Sequence, residues 1–164
     1  SQTHSYPMLR SALTALVSAL PAPVVEAHCD GPCGVYDPAS ARVAAEAVLS
    51  MTKKLKGLEA PAAGDAAALA AFNNTFGRYV AIKEEEAQKT KKELLILWTD
   101  YFKPDHLATF PDLHDTFWKA AKLCSACKVN IDQAKAEELM AAVEKIHSMF
   151  WQSKGRSDAW VTAS

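Results

Sequence analysis

From residue 38 onward the chain has no alternating run of β-branched residues long enough to form a strand, which excludes sheet classes and leaves an all-α reading. It also lacks an excess of either charge. Eighteen lysines and arginines against nineteen aspartates and glutamates give a formal net charge of −1, without the basic footprint of a general nucleic-acid binder. No long hydrophobic run is present. The longest low-polarity stretch, Ser11 to Val25, is interrupted by Ser18, Pro21 and Pro23 and falls short of the ~20 residues a membrane helix needs, so a soluble chain without a membrane partner is expected. Six glycines and eight prolines in 164 residues exclude collagen-like and low-complexity classes. The four cysteines form two close pairs, Cys29 with Cys33 and Cys124 with Cys127. That spacing suits metal or redox work better than stapling distant loops. What the chain does have is 49% hydrophobic residues, enough for one domain core.

Residues 1–27 differ from the rest. They carry only Arg10 and Glu26 as charges and place Leu9, Leu13, Leu16 and Leu20 on one face of a short amphipathic helix. A basic residue, a weakly apolar run and Val25-Glu26-Ala27 also fit a secretory signal. On either reading the segment is removable, and Ser1 to Pro7, ahead of Met8, look like tag, linker or upstream sequence. The expected division is therefore a removable segment, 1–27, and a working domain, 28–164.

Within the domain, Asp37-Pro38 is a helix start, with Asp as N-cap and Pro at the first helical position. The first helix should run to Lys56 and stop at Gly57. Asp65 begins a second that continues to about Phe102, before Pro104. Its polar middle, Val80 to Lys92, reads as a solvated face with Glu85 and Lys89 spaced to pair, and Leu94 to Trp98 reads as core. Pro111-Asp112 opens a third helix and Asp132 a fourth. Short connections between four helices predict an up-and-down four-helix bundle. The Ala-rich stretch Ala60 to Ala71 reads as a close-packing helix face.

The stretch that carries chemistry is His28-Cys29-Asp30-Gly31-Pro32-Cys33-Gly34-Val35-Tyr36-Asp37-Pro38. It resembles the nickel-hook motif of nickel-containing superoxide dismutases. The resemblance extends through Asp100-Tyr101-Phe102-Lys103-Pro104 and Phe150-Trp151, covering roughly residues 28–155. Eleven consecutive matching residues make it specific. It implies an antioxidant oxidoreductase that disproportionates superoxide at a Ni(II)/Ni(III) centre, with one nickel per processed subunit. It further implies a homohexamer, a dedicated processing protease and a cytoplasmic location, although the secretory reading of residues 1–27 stays open.

The residue types make chemical sense of that resemblance. Cleavage before His28 frees an α-amine with an ordinary pKa of about 7.7 to 8.0, from which a metal can displace a proton near neutrality. Before cleavage that nitrogen is an amide, so the uncleaved chain is expected to be an inactive precursor without an assembled site. The resemblance gives the ligands as the His28 amine, the Cys29 backbone nitrogen and the Cys29 and Cys33 thiolates, with the His28 imidazole axial. Such a planar N₂S₂ set suits Ni(II). It also places Tyr36 over the open face, brings Tyr101 to it through a hydrogen bond, turns the hook at a cis Pro32 and fixes it through Asp30. Gly34 fits a tight backbone position.

The family pattern holds the axial imidazole with a glutamate and an arginine, and this chain departs from it. Alignment on the two motif blocks puts Ala44 and Glu86 at those positions. Glu86 is then the candidate to accept from the imidazole directly, with Glu46 as fallback and water as the alternative. Cys124 and Cys127 read as buried reduced thiols, and His106, His114 and His147 as surface or capping histidines. Trp98, Trp118, Phe150 and Trp151 read as core or subunit contacts. Superoxide is an anion and the global field is near neutral, so local attraction falls to Lys103 or to Lys53, Lys54 and Lys56, the latter three reading more simply as exposed helix-end lysines. Two rivals to the enzyme are a nickel or copper carrier using the same ligands without turnover, and a structural helical oligomer.

Overall fold

The computed structural model describes residues 34–163. Its four long helices are α1 (Ala39–Lys56), α2 (Ala66–Ile96), α3 (Leu113–Val129) and α4 (Gln133–Ser153). Each packs on two others, α1 on α2 and α4, and α3 on α2 and α4, so successive helices close an antiparallel ring. The expected bundle is what forms.

Inward positions repeat at steps of three and four on every helix, which is why the ring closes on one core. They are Ala41, Ala45, Val48, Thr52 and Leu55 on α1, and Lys83, Ala87, Thr90, Leu94 and Leu97 on α2 and the turn after it. On α3 they are Leu113, Phe117, Ala120, Cys124 and Cys127, and on α4 Ala136, Leu139, Val143, Ile146 and Phe150. Each fully buried Val, Leu, Ile or Phe among them contributes roughly 1.5–3 kcal/mol. Burial pushes the Cys124 thiol up to about 12, helped by the nearby Cys127, and pushes Cys127 up to about 11. Both are free thiols, protonated at neutral pH, as the sequence suggested.

Helix ends follow local chemistry. The N-caps Asp65 and Asp132 accept from Ala68 N–H at 2.9 Å and Lys135 N–H at 3.2 Å. The first helix, however, is capped by Pro38 and not, as expected, by Asp37, whose carboxylate accepts from Ala39 N–H at 2.8 Å from one position further out. Asp112 instead takes the Lys145 ammonium of α4, which holds its carboxyl below the usual carboxylate range. At the far end of α4, Gly155 sits at φ +68. Its N–H and that of Arg156 close on the Gln152 and Trp151 carbonyls, both at 2.9 Å, the paired bonds of a left-handed helix cap. The chain then turns back: the Asp158 carbonyl meets His147 Nε2 at 3.1 Å, Trp160 packs on the His147 ring, and Ala163 N–H reaches Glu46 at 2.7 Å.

Several expectations need correction. The second helix does not stay α-helical to Phe102: Leu97–Tyr101 widens into a π turn, closed by Phe102 N–H on the Leu97 carbonyl at 3.0 Å. Leu95 is 39% exposed, because the inward steps of three and four fall on Leu94 and Leu97. Trp118 is 53% exposed with the Lys122 ammonium over its ring, which removes the core half of its expectation and leaves a subunit contact untouched. Glu85 does not meet Lys89; Glu86 does, at 3.9 Å. Ala60 to Ala71 is mostly exposed and packs no close face among the described residues. His147 is buried, not a surface residue.

Candidate metal centre

The described chain opens at Gly34, whose φ of +64 a side chain would strain. Two residues on, Tyr36 lies with its ring centroid 5.5 Å from that of Tyr101. Distant in sequence, they meet because α1 starts where the π turn ends. That turn adds one residue to the helical register and swings Tyr101 into a cluster of rings, as such turns do near functional sites. Tyr101 has Phe150 at 4.5 Å, Phe102 at 5.0 Å and a stacked His106 at 5.8 Å. His106 caps the following 3-10 turn by accepting from Lys103 N–H at 3.0 Å.

The direction of the Tyr101 proton follows from its neighbours. Ser153 Oγ donates its one hydrogen to the Phe150 carbonyl at 2.7 Å, so across the 2.6 Å contact between the two hydroxyls Tyr101 must be the donor. A hydrogen bond between the two tyrosines would therefore have Tyr36 donating. Above the same ring, Lys154 Nζ stands 5.1 Å from the Tyr101 centroid and 5.2 Å from that of Phe150, a cation on an aromatic face. Ser153 and Lys154 were missed in the sequence, though only Gln152 separates them from the Phe150-Trp151 block and Lys154 lies one turn beyond Phe150.

The candidate ligands His28, Cys29 and Cys33, with Asp30 and Pro32, lie outside the described residues, as does the bond before His28. Their donor types are the observation that bears on the metal: two soft thiolates with an amine and an amide nitrogen fit nickel. Among the described residues no group of three or more His, Cys, Asp or Glu is placed to hold a metal ion, and Cys124 and Cys127 are closed in the core. The other candidates separate clearly. Ala44 is fully buried. Lys54 reaches the Tyr79 ring at 6.0 Å, and ten residues back along α1 from Lys54 match ten forward along α2 from Tyr79, which puts Ala44 level with Lys89. The two changed positions, Ala44 on α1 and Glu86 on α2, thus sit at levels about one helical turn apart along the paired helices. Glu46 is buried and holds Arg42 at 3.3 Å as well as Ala163 N–H. Lys53, Lys54 and Lys56 sit at the opposite end of α1 from Tyr36, where Lys56 meets Gln133 at 3.2 Å.

A profile of nickel-containing superoxide dismutases matches residues 23–154. The chain belongs to that family. Among curated relatives, the nickel superoxide dismutase of Streptomyces seoulensis is 39% identical over 141 residues, spanning 85% of this chain and 98% of its own. That of Streptomyces coelicolor is 37% identical over the same span. A native nickel superoxide dismutase structure solved at 1.30 Å superposes with a TM-score of 0.66 at 37% identity, covering 77% of this chain and 99% of the other. A second, with ligation of the oxidised state, gives 0.65 at 38%. The family match stops at residue 154, so the returning segment that reaches Glu46 lies beyond it.

Proposed function

We propose that this nickel superoxide dismutase family member converts two superoxide anions and two protons to O₂ and H₂O₂ at a nickel centre. The observation that carries the reading is the Tyr36–Tyr101 ring pair, set against a family match that spans the hook motif. Bound nickel supplies a one-electron couple, Ni(II)/Ni(III), through which one superoxide is oxidised and the next reduced. His28, Cys29 and Cys33 would hold it, Pro32 and Asp30 shaping the hook between them. Ionised thiolates and a deprotonated amide push electron density toward the metal, which is what brings the higher oxidation state within reach.

Around that centre the chain's own groups bind and position. Tyr36 and Tyr101 present rings that exclude bulk water from one side of the approach. The Tyr101 hydrogen is committed to Ser153, whose own goes to a backbone carbonyl, so that chain ends without an onward proton path. Protons for peroxide therefore arrive from the Tyr36 side or from solvent. Lys154 contributes a positive charge beside the pair, attractive to an anion. Glu86 is the reading's choice to accept from the His28 imidazole, since Glu46 already serves Arg42 and Ala163. Cleavage before His28 by a processing protease, assembly as a homohexamer and a cytoplasmic location belong to the same proposal. The carrier reading has no support from the relatives, which are named as dismutases.

The test is nickel content and dismutase rate in the chain with its amino terminus at His28. Cys29→Ser and Cys33→Ser are each expected to lose both nickel and activity, because a hydroxyl cannot replace the strongly donating thiolate. Cys124→Ser and Cys127→Ser should keep both in the molecules that fold. Equal loss from the two pairs, or stoichiometric nickel with full activity in a verified uncleaved chain, sinks the assignment.

A further inference from the structure

The chain continues past the end of α4. Residues 155–163 lie beyond the family match, which stops at residue 154, so family membership assigns them no role. They fold back as a strap. The Arg156 guanidinium lies 4.4 Å from the Trp151 ring centroid and pairs with both carboxylate oxygens of Asp158, at 3.1 and 2.7 Å. The Asp158 carbonyl accepts from His147 Nε2 at 3.1 Å, the Trp160 ring stands 5.3 Å from that of His147, and Ala163 N–H donates to Glu46 at 2.7 Å. His147 is buried on α4 and Glu46 on α1. The strap therefore ties the helix that ends beside Tyr101 to the helix that begins beside Tyr36.

What the strap holds is the last turn of α4. A helix end leaves its final carbonyls without intrahelical donors. Here the Trp151 carbonyl takes the N–H groups of Lys154 and Arg156, at 3.1 and 2.9 Å, and the Gln152 carbonyl takes that of Gly155 at 2.9 Å. Two of those three donors belong to the strap itself. The Phe150 carbonyl takes the Ser153 hydroxyl, the same hydroxyl that accepts from Tyr101. Fraying of this turn would carry off Ser153 and Lys154 together, the acceptor of the Tyr101 hydrogen and the cation over its ring. We propose that the strap is a positioning element for Tyr101: anchored on His147 and Glu46, it keeps the last turn of α4 wound, and that turn keeps the Ser153 hydroxyl where the Tyr101 hydrogen is directed. Any consequence for turnover rests on the dismutase reading above, whereas the state of the Tyr101 hydroxyl does not.

The Cζ resonance of Tyr101 in the carbon-labelled full chain, assigned by its loss in Tyr101→Phe, reads that hydrogen bond without nickel or turnover. Ser153→Ala removes the acceptor and should shift it. Ser153→Thr should restore the wild-type position, because a threonine hydroxyl bonds the carbonyl one turn back in the same way. Gly155→Val and Trp160→Ala loosen the strap from two places. The first puts a β-branched residue at φ +68, where an added Cβ meets nothing within 4 Å and the strain falls on the backbone. The second removes the packing on His147, about two helical turns before Ser153. Each should move the resonance toward its position in Ser153→Ala with helix content unchanged. With the amino terminus at His28, each should lower kcat/KM by about two- to tenfold, the worth of one neutral hydrogen bond, and should cost nothing more once Tyr101→Phe has removed the hydroxyl. A resonance unmoved in both strap variants, or unmoved in Ser153→Ala, overturns the proposal, as does a rate loss equally large in Tyr101→Phe. Shifted resonances in a chain without dismutase activity support the positioning and remove the dismutase reading. Should neither strap variant fold, hydrogen exchange of the wild-type chain decides. Lys154, Gly155 and Arg156 amides as protected as those in the middle of α4 support the clamp, and amides that exchange like open chain overturn it.

Discussion

The two ends of the bundle are closed by different chemistry. Where α1 begins, Tyr36, Tyr101, Phe102, His106 and Phe150 meet ring against ring. Where α1 stops, one buried ammonium, Lys83, is shared among three backbone carbonyls. Rings fix positions by packing, and a cation, Lys154, stands over two of them. Lys83 has no donor left, since an ammonium offers three hydrogens and the frayed end of α3 takes them all. Burial pulls its pKa down, with Glu84 and Cys127 opposing. The first end is the one the proposed function uses, and the other is consumed in holding the fold.

If that contrast is right, the largest effect of a single change outside the hook belongs to the closed end and falls on stability alone. Lys83→Met keeps the apolar stem and strands the three carbonyls. It is expected to lower unfolding free energy by about 2–4 kcal/mol, since hydrogen bonds to a charged group are worth about 1.5–3 and each stranded polar group costs about 1–3. Nickel per folded molecule and specific activity should not change. Denaturant unfolding measures the first and metal analysis with a dismutase assay the second. A variant of normal stability with reduced activity would erase the distinction between the ends.

Between the ends lies the changed pair, Ala44 and Glu86. An outer partner of a metal-bound imidazole is worth about 10- to 100-fold in metal affinity or activity. Glu86→Gln should therefore cut turnover by that order with nickel retained and should weaken the axial-nitrogen signature in the spin resonance of the oxidised protein. Glu85→Gln, one position round the helix and exposed, should do almost nothing. Indistinguishable variants would return the imidazole to water or to Glu46.

How much of this was legible beforehand depended on distance along the chain. Caps at Asp65 and Asp132, the Asp37-Pro38 start signal and the three-four periodicity are local, and four helices with their order followed from them. The π turn was not visible, because Leu97 to Tyr101 is a good α-helical sequence and only the packing of Leu97 and Tyr101 into one core favours the wider turn. The apolar run at Leu94 to Trp98 concealed which side faced in. The hook was legible as a motif, and Tyr101 as part of a second block, but the proton direction at Tyr101 needed Ser153, and the cation over its ring needed Lys154. Neither residue has a type that marks it. The Ala-rich stretch misled for a related reason: alanine favours helix whether or not a neighbour covers it, so composition announced the helix without its exposure.

The smallest expected effect tests the cation at the open end. A unit charge acting on a superoxide anion at about 7 Å through water is worth about 0.6 kcal/mol, roughly threefold in encounter rate. Lys154→Met, which preserves the stem over Phe150 and Tyr101, should lower kcat/KM by about that factor at low ionic strength. The difference should fade as salt shortens the screening length from about 30 Å at 0.01 M to about 3 Å at 1 M. Lys54→Met makes the matching change at the other end of α1, about 27 Å of helix away, and should leave the rate where it was at any salt. A salt-independent loss at Lys154 would mean that the side chain supports the Tyr101 ring by packing, and equal losses at both lysines would mean that only the total charge of the surface matters.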